Sequence, residues 1–266
     1  MVIDIHGQLG RSGQRESVAA LLNEYIEACG IDRLLVSNVE AASVGPDAAN
    51  LDEAIANVAC LQACRQHKCW VPLYWVRPGQ VDSDIHAFAG ALSTEPFAGV
   101  IFSPVLNGFS ADAELLDPYL SVMEQLRVPG LFHVGSAQDA RPATVYRLAK
   151  RHPSVPLVLY DPAAHGLWAE ALDVIRRAVD HEDADLYVGT AHASIGEILA
   201  AVGGVGLERV LYGSDAPCYR SEHAARCGSL LDRLRAALPD ESVRRIIGGN
   251  AAAVFGHAGS ADAGQS

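Results

Sequence analysis

The chain has no C-x-x-C pair and no dense cysteine framework, only six cysteines in 266 residues. Free thiols are therefore expected in place of disulfide staples. It lacks any apolar run of the roughly 18 residues needed to cross a bilayer, and no basic leader precedes Val2-Ile3, which together predict a cytoplasmic protein. Positive charge is scarce: 20 Lys and Arg stand against 32 Asp and Glu, for a formal net charge of −12. That balance argues against nucleic acid or an anionic membrane as partner and for a small-molecule substrate. Two motifs are also missing. Without G-x-S-x-G no serine triad can be argued. Gly7 and Gly10 do not continue as G-x-G-x-x-G, and Gly203-Gly204-Val205-Gly206 precedes a strand and not a helix, so no dinucleotide fingerprint is present.

What the chain does have is apolar residues, 50% of a 28.2 kDa chain, enough to bury on the order of 70% of the extended surface without staples. They fall in a strand and helix alternation. Strands are predicted at 2–6, 34–36, 70–76, 99–103, 130–134, 156–160, 185–189 and 208–213. Helices are predicted at 17–29 with Gly30 as C-cap, 51–67 with Asn50 as cap, 81–90, 113–126, 140–151, 167–179, 193–202 and 220–237. Eight such units in a chain of this length predict a (β/α)8 TIM barrel, with a doubly wound sheet as the alternative. A last helix at 241–255 starts beside Pro239-Asp240. One domain over 1–256 is expected, followed by a small, polar and mobile tail at 257–266. A homo-oligomer is compatible with this composition, but no stripe specifies one.

Cys60, Cys64, His67 and Cys69 form a C-x3-C-x2-H-x-C cluster whose spacing allows zinc. Because the segment ends a helix and enters an apolar strand, core packing is the stronger reading.

Chemistry-bearing residues gather instead at predicted strand ends. His6 and Gln8 alternate off the first strand and point the same way. Gln8, a neutral amide, is either a weak metal ligand or a hydrogen-bonding substitute for one. His133 interrupts an apolar segment, and Asp161 and Asp215 each end one; bare burial of such groups is costly, so each needs a partner. His6, Gln8, His133, Asp161 and Asp215 are thus candidate ligands for a divalent metal, with zinc the first choice. Such a cation would acidify water or polarise a carbonyl while Asp215 handled the proton. His192, after Y-V-G-T-A, is a second catalytic candidate, as a donor to substrate oxygen or a replacement ligand. Ser103, Asn107, Tyr160, Thr190 and Ser214 sit near the same mouth and either orient a substrate or cap turns. Arg11 and Arg141 are the candidate carboxylate binders.

Asp4-Ile5-His6-Gly7-Gln8, His133-Val134-Gly135, Asp161, Gly213-Ser214-Asp215-Ala216-Pro217 and the closing G-G-N-A-A-A-V-F-G at 248–256 together resemble the amidohydrolase superfamily. The likeness is to its amidohydrolase-related branch, which includes the aminocarboxymuconate-semialdehyde decarboxylases, and it covers nearly the whole chain. It implies a TIM barrel, a divalent metal, and metal-dependent hydrolysis of a small molecule as the first expectation, with non-oxidative decarboxylation of a small carboxylated substrate as the alternative. Three positions depart from the family pattern: Gln8 stands for the second histidine of D-x-H-x-H, Asp161 for the strand-six histidine, and G-V-I-F-S-P at 99–104 for G-x-K-L-H-P. A non-catalytic barrel that binds a metabolite or a protein is the contrasting expectation.

Overall fold

The computed structural model describes residues 1–9, 15–38, 52–80 and 83–256. Eight strands run parallel in chain order: β1 (Ile3–Leu9), β2 (Arg33–Asn38), β3 (Trp70–Trp75), β4 (Gly99–Phe102), β5 (Gly130–His133), β6 (Leu157–Tyr160), β7 (Leu186–Gly189) and β8 (Val210–Leu211). The ring closes where Ile5 N–H donates to the Tyr212 carbonyl at 3.1 Å and Gln8 N–H to the Ala216 carbonyl at 2.7 Å. The helices between them are α1 (Arg15–Cys29), α2 (Glu53–Gln66), α3 (Ile85–Thr94), α4 (Asp117–Leu126), α5 (Pro142–Ala149), α6 (Trp168–His181), α7 (Ile195–Val205) and α8 (His223–Ala237). The fold is a (β/α)8 TIM barrel.

Period-two alternation divides the apolar residues between two cores. On β6, Val158 and Tyr160 point into the barrel while Leu157 and Leu159 meet the helices. Ile3, Ile5, Leu35, Leu73, Ile101, Leu131 and Leu211 fill the interior from the other strands, and Phe255 and Val254 of the last helix plug it from below. Gly130 is needed at one tight approach, since a Cβ there would stand 2.9 Å from Leu157 and 3.0 Å from Met123. The register of β1 against β2 shifts between Asp4 and Gly7. That irregularity brings the His6 ring to 4.2 Å from inward-facing Tyr160, so a bulge re-aims a side chain at the barrel mouth.

Three elements differ from the expectation. β8 is only Val210–Leu211, because Ser214 leaves the ladder to donate its N–H and Oγ–H to Asp4. The last helix is interrupted into Asp240–Arg244, a wide turn at Arg245–Gly249, and Asn250–Phe255. Gly248 there lies against the chain start, where an added Cβ would meet the Met1 carbonyl at 2.2 Å. Helix α2 is capped by Asp52, whose side chain accepts from Ala54 and Ile55 N–H; Asn50 lies outside the described residues, as do Arg11 and the 257–266 tail. All six cysteines are free. Cys60 donates to the Val36 carbonyl at 3.2 Å and His67 stacks on Trp70 at 3.9 Å, as core packing would have it. No helix among the described residues is long and apolar enough to cross a membrane.

Candidate active site at the barrel mouth

The base of the site is Asp4, fully buried on β1. Its carboxylate accepts from Tyr25 Oη–H at 2.7 Å, from Ser214 N–H and His6 N–H at 3.1 Å each, and from the Ser214 hydroxyl. Burial raises its pKa, while the donors from Ser214 and Tyr25 oppose that rise. These bonds clamp β1 to the loop after β8, and so set His6 beside Asp215.

Asp215 is the most heavily partnered group at the mouth. Oδ1 accepts from Gln8 Nε2–H at 2.7 Å and from the Tyr160 hydroxyl, and His6 Nδ1 stands 3.4 Å away. His192 Nε2 lies 3.4 Å from Oδ2, and His192 Nδ1 is 2.7 Å from the Tyr219 hydroxyl. Burial alone would raise the Asp215 pKa, but hydrogen bonds from His192, His6 and Tyr160 outweigh it and hold the carboxyl well below its ordinary range. The bond to Asp215 in turn raises His192, against burial and with help from the Asp161 charge. Asp215 is ionised, and His192 keeps its proton to higher pH than a free imidazole does.

Asp161 anchors the other half. His133 Nε2 is 3.6 Å and His165 Nε2 3.9 Å from Oδ2, and His192 Nε2 is 3.5 Å from Oδ1. Asp161 Oδ1 is buried without a hydrogen-bond partner. Ser103 Oγ holds His133 Nδ1 at 3.3 Å. Asp161, His192 and Asp215 all adopt left-handed backbone, with φ of 67°, 60° and 58°. Such conformations cost non-glycine residues on the order of 1 kcal/mol or more and concentrate where side chains must be aimed.

The five expected ligands therefore separate into two groups. His6 and Gln8 meet Asp215, while His133 meets Asp161. A cation at the first group would need lone pairs, yet Gln8 presents an N–H to the carboxylate oxygen and Tyr160 donates to that same oxygen. His6 Nε2 is engaged by Ser37 Oγ at 3.1 Å. Among the described residues no three convergent His, Cys, Asp or Glu donors include His6. One convergent trio is His192, Asp215 and Cys218, but the Cys218 thiol is exposed and already directed at the Ser214 carbonyl and at His223 Nδ1, 3.7 Å from each. A single metal centre built on the first-strand pair and Asp215 does not fit these side chains.

Arg141 is committed to Glu170 through Nε at 3.3 Å and a short Nη2 contact. Thr190 bonds the Gly213 backbone at both N–H and carbonyl, and Asn107 accepts from Trp75 Nε1–H at 2.9 Å. Three residues that the sequence reading missed complete the surroundings. His165 follows Asp161 by four residues, a spacing that could have flagged it. Tyr219 holds His192. Arg233 lines a cavity of about 520 Å³ beside His192, Ser214 and Tyr219, a volume suited to a small molecule. Arg226, seven residues earlier and on the same helix face, lines it as well but is paired with Glu222 at 2.8 Å. Arg233 has no ion pair among the described residues.

A parallel barrel with acid, base and imidazole groups on the loops at the C-terminal strand ends has the layout of TIM-barrel enzyme sites. The chain belongs to the amidohydrolase family, whose model it matches over residues 3–257. No curated protein matches it in sequence. Among solved structures it is similar to 4-oxalomesaconate hydratase of Rhodopseudomonas palustris, at 16% identity over 97% of this chain and 96% of that one, TM-score 0.72. A manganese-bound 5-carboxyvanillate decarboxylase of Novosphingobium aromaticivorans aligns at 13% identity over 96% and 97%, TM-score 0.73. A 2,6-dihydroxybenzoate decarboxylase in complex with 2,6-dihydroxybenzoate aligns at 15% identity over 96% and 98%, TM-score 0.71. At such identities the likeness is one of fold.

Proposed function

We propose that the protein is a non-oxidative decarboxylase of a small carboxylated molecule. The observation that carries this reading is the His192 imidazole, set between the Asp215 carboxylate at 3.4 Å and the Tyr219 hydroxyl at 2.7 Å. Decarboxylation breaks the bond from carbon to the carboxylate, leaves the electron pair on that carbon, and needs one proton delivered there. His192 Nε2–H is the donor. Asp215 holds the imidazolium charge, the Tyr219 hydroxyl accepts from Nδ1–H and so fixes the ring with Nε2 towards Asp215, and the emptied Nε2 takes its next proton from solvent. Glu222 offsets Arg226 in the lining of the adjoining cavity, and Arg233 gives it a positive charge, which suits a carboxylate. Hydrolysis is less well supported, because the group that would activate water on the first strand is replaced by the Gln8 bond to Asp215.

Hydroxylated benzoates such as 2,6-dihydroxybenzoate and 5-carboxyvanillate are the first substrates to test. Incubation in D2O should release CO2 and place one deuterium on the carbon that carried it, as seen by NMR, and His192→Gln should lower the rate by roughly 10²–10⁴. Amide or lactone cleavage without CO2 release would overturn the assignment.

A further inference from the structure

We infer that the chain carries a divalent-cation site made by His133, Asp161 and His165, displaced from the first strand to the ends of β5 and β6. Four observations converge on it. One ring nitrogen of each imidazole and a carboxylate oxygen of Asp161 lie within 4.8 Å of one another. Their separations from the carboxylate, 3.6 Å and 3.9 Å, are too long for hydrogen bonds. They are close to the roughly 3.4 Å between ligand atoms placed about 2.1 Å from one tetrahedral ion. Asp161 is only 6% exposed; its Oδ2 stands beyond hydrogen-bond distance of both imidazoles, and its buried Oδ1 has only the His192 imidazole, at 3.5 Å, an arrangement that is costly for a carboxylate unless a cation completes it. Its left-handed φ of 67° aims the side chain into the mouth instead of letting it cap the following turn.

The chemistry of the set is also right. Ser103 engages Nδ1 of His133 at 3.3 Å, which leaves Nε2 turned towards Asp161, the kind of outer contact that fixes a ligating imidazole. Two nitrogens and one carboxylate oxygen suit zinc or manganese better than calcium. Three protein ligands leave a coordination position open for an exogenous oxygen. The Asp215 group, by contrast, is closed by hydrogen-bond donors from Gln8 and Tyr160. The two carboxylates thus differ in what they face: Asp215 serves proton transfer with His192, while Asp161 turns Oδ2 to the cation and Oδ1 to the same imidazole. This site does not depend on the identity of the reaction.

The test is titration of the chelator-treated full chain with Co(II), followed by its visible absorption and by calorimetry. One equivalent with imidazole-type bands is expected. His165→Gln, at a side chain 36% exposed, should weaken binding at least tenfold, and Asp161→Asn more strongly, with circular dichroism confirming the fold of each. Gln8→Ala should leave affinity within about twofold. Broadening of the His133 and His165 ring signals by Mn(II) gives an independent readout. No binding to wild type, equal affinity of His165→Gln and wild type, or loss of binding in Gln8→Ala would each overturn the site.

Discussion

The side-chain amide of Gln8 donates to Oδ1 of Asp215 at 2.7 Å across 207 residues of sequence. It joins the first strand to the loop after the last one and supplies part of the support that keeps Asp215 ionised. A hydrogen bond to a charged group contributes about 1.5–3 kcal/mol, equivalent to roughly one to two pH units. Because His192, His6 and Tyr160 still keep Asp215 ionised in Gln8→Ala, the loss should show as a kcat/KM profile about tenfold lower across neutral pH, the carboxylate being less firmly placed beside His192. A profile identical to wild type would show that this bond does not position the carboxylate.

The alkaline limb belongs to His192. Hydrogen bonding to Asp215 raises it above the ordinary value of 6.5, so the proton it must deliver is present at low pH and is lost as pH rises through the raised value. The stability of the His192 and Asp215 pair has the same sign: it is fully present below 6.5 and fades above the folded-state value. Tyr219→Phe removes the hydroxyl at Nδ1, and kcat should drop about tenfold with little change in KM. An unchanged kcat would show that Tyr219 does not position the imidazole.

Removing metal gives a stability readout. A cation present at 100 times its dissociation constant stabilises the folded state by about 2.7 kcal/mol, which for a chain of this size is a rise in Tm of roughly 5–10 °C. Addition of Mn(II) after chelation should produce such a rise in wild type and in Gln8→Ala, and none in Asp161→Asn. A rise retained by Asp161→Asn would place the ion elsewhere.

The barrel was readable in the sequence because each strand is a short apolar run bounded by turn residues, and burial on both faces of a parallel sheet demands that pattern. Asp161 and Asp215 were readable for the same reason, as carboxylates ending such runs. Which carboxylate each histidine faces was not, since that depends on the bulge between Asp4 and Gly7 and on the curvature of the ring. His165, Tyr219 and Arg233 were missed because loops and outer helix faces carry polar residues by default. Only spacing marked them, Asp161-x3-His165 and Arg226-x6-Arg233. The end of β8 was overestimated for a physical reason as well: Tyr212 and Gly213 look like strand, but Tyr212 N–H bonds the Ile246 carbonyl and the next residue, Ser214, is drawn to Asp4, which takes them out of the ladder.

His223 makes the last prediction, and it concerns stability alone. It is buried at the start of α8, with Nε2 at 3.1 Å from Ser214 Oγ and 3.5 Å from Cys227 Sγ, and it packs edge-on against Tyr25 at 4.7 Å. Burial lowers its pKa from 6.5 to about 4, only partly offset by the Asp215 charge. A depressed folded-state value means that its neutral form stabilises the fold above 6.5 and that this contribution is lost as pH falls towards 4. After allowance for screening, the loss is on the order of 2 kcal/mol. Urea unfolding at pH 7.0 and 4.5 should show a decrease of that size in wild type. His223→Gln keeps a side chain able to bond Ser214 but removes the titration, so its stability should change little across the same interval. Carboxylates held low by their donors, Asp215 among them, lose their contribution mainly below this window, and what they lose within it is the same in both proteins. An equal decrease in both proteins would assign the acid sensitivity to another group and leave His223 a packing residue only.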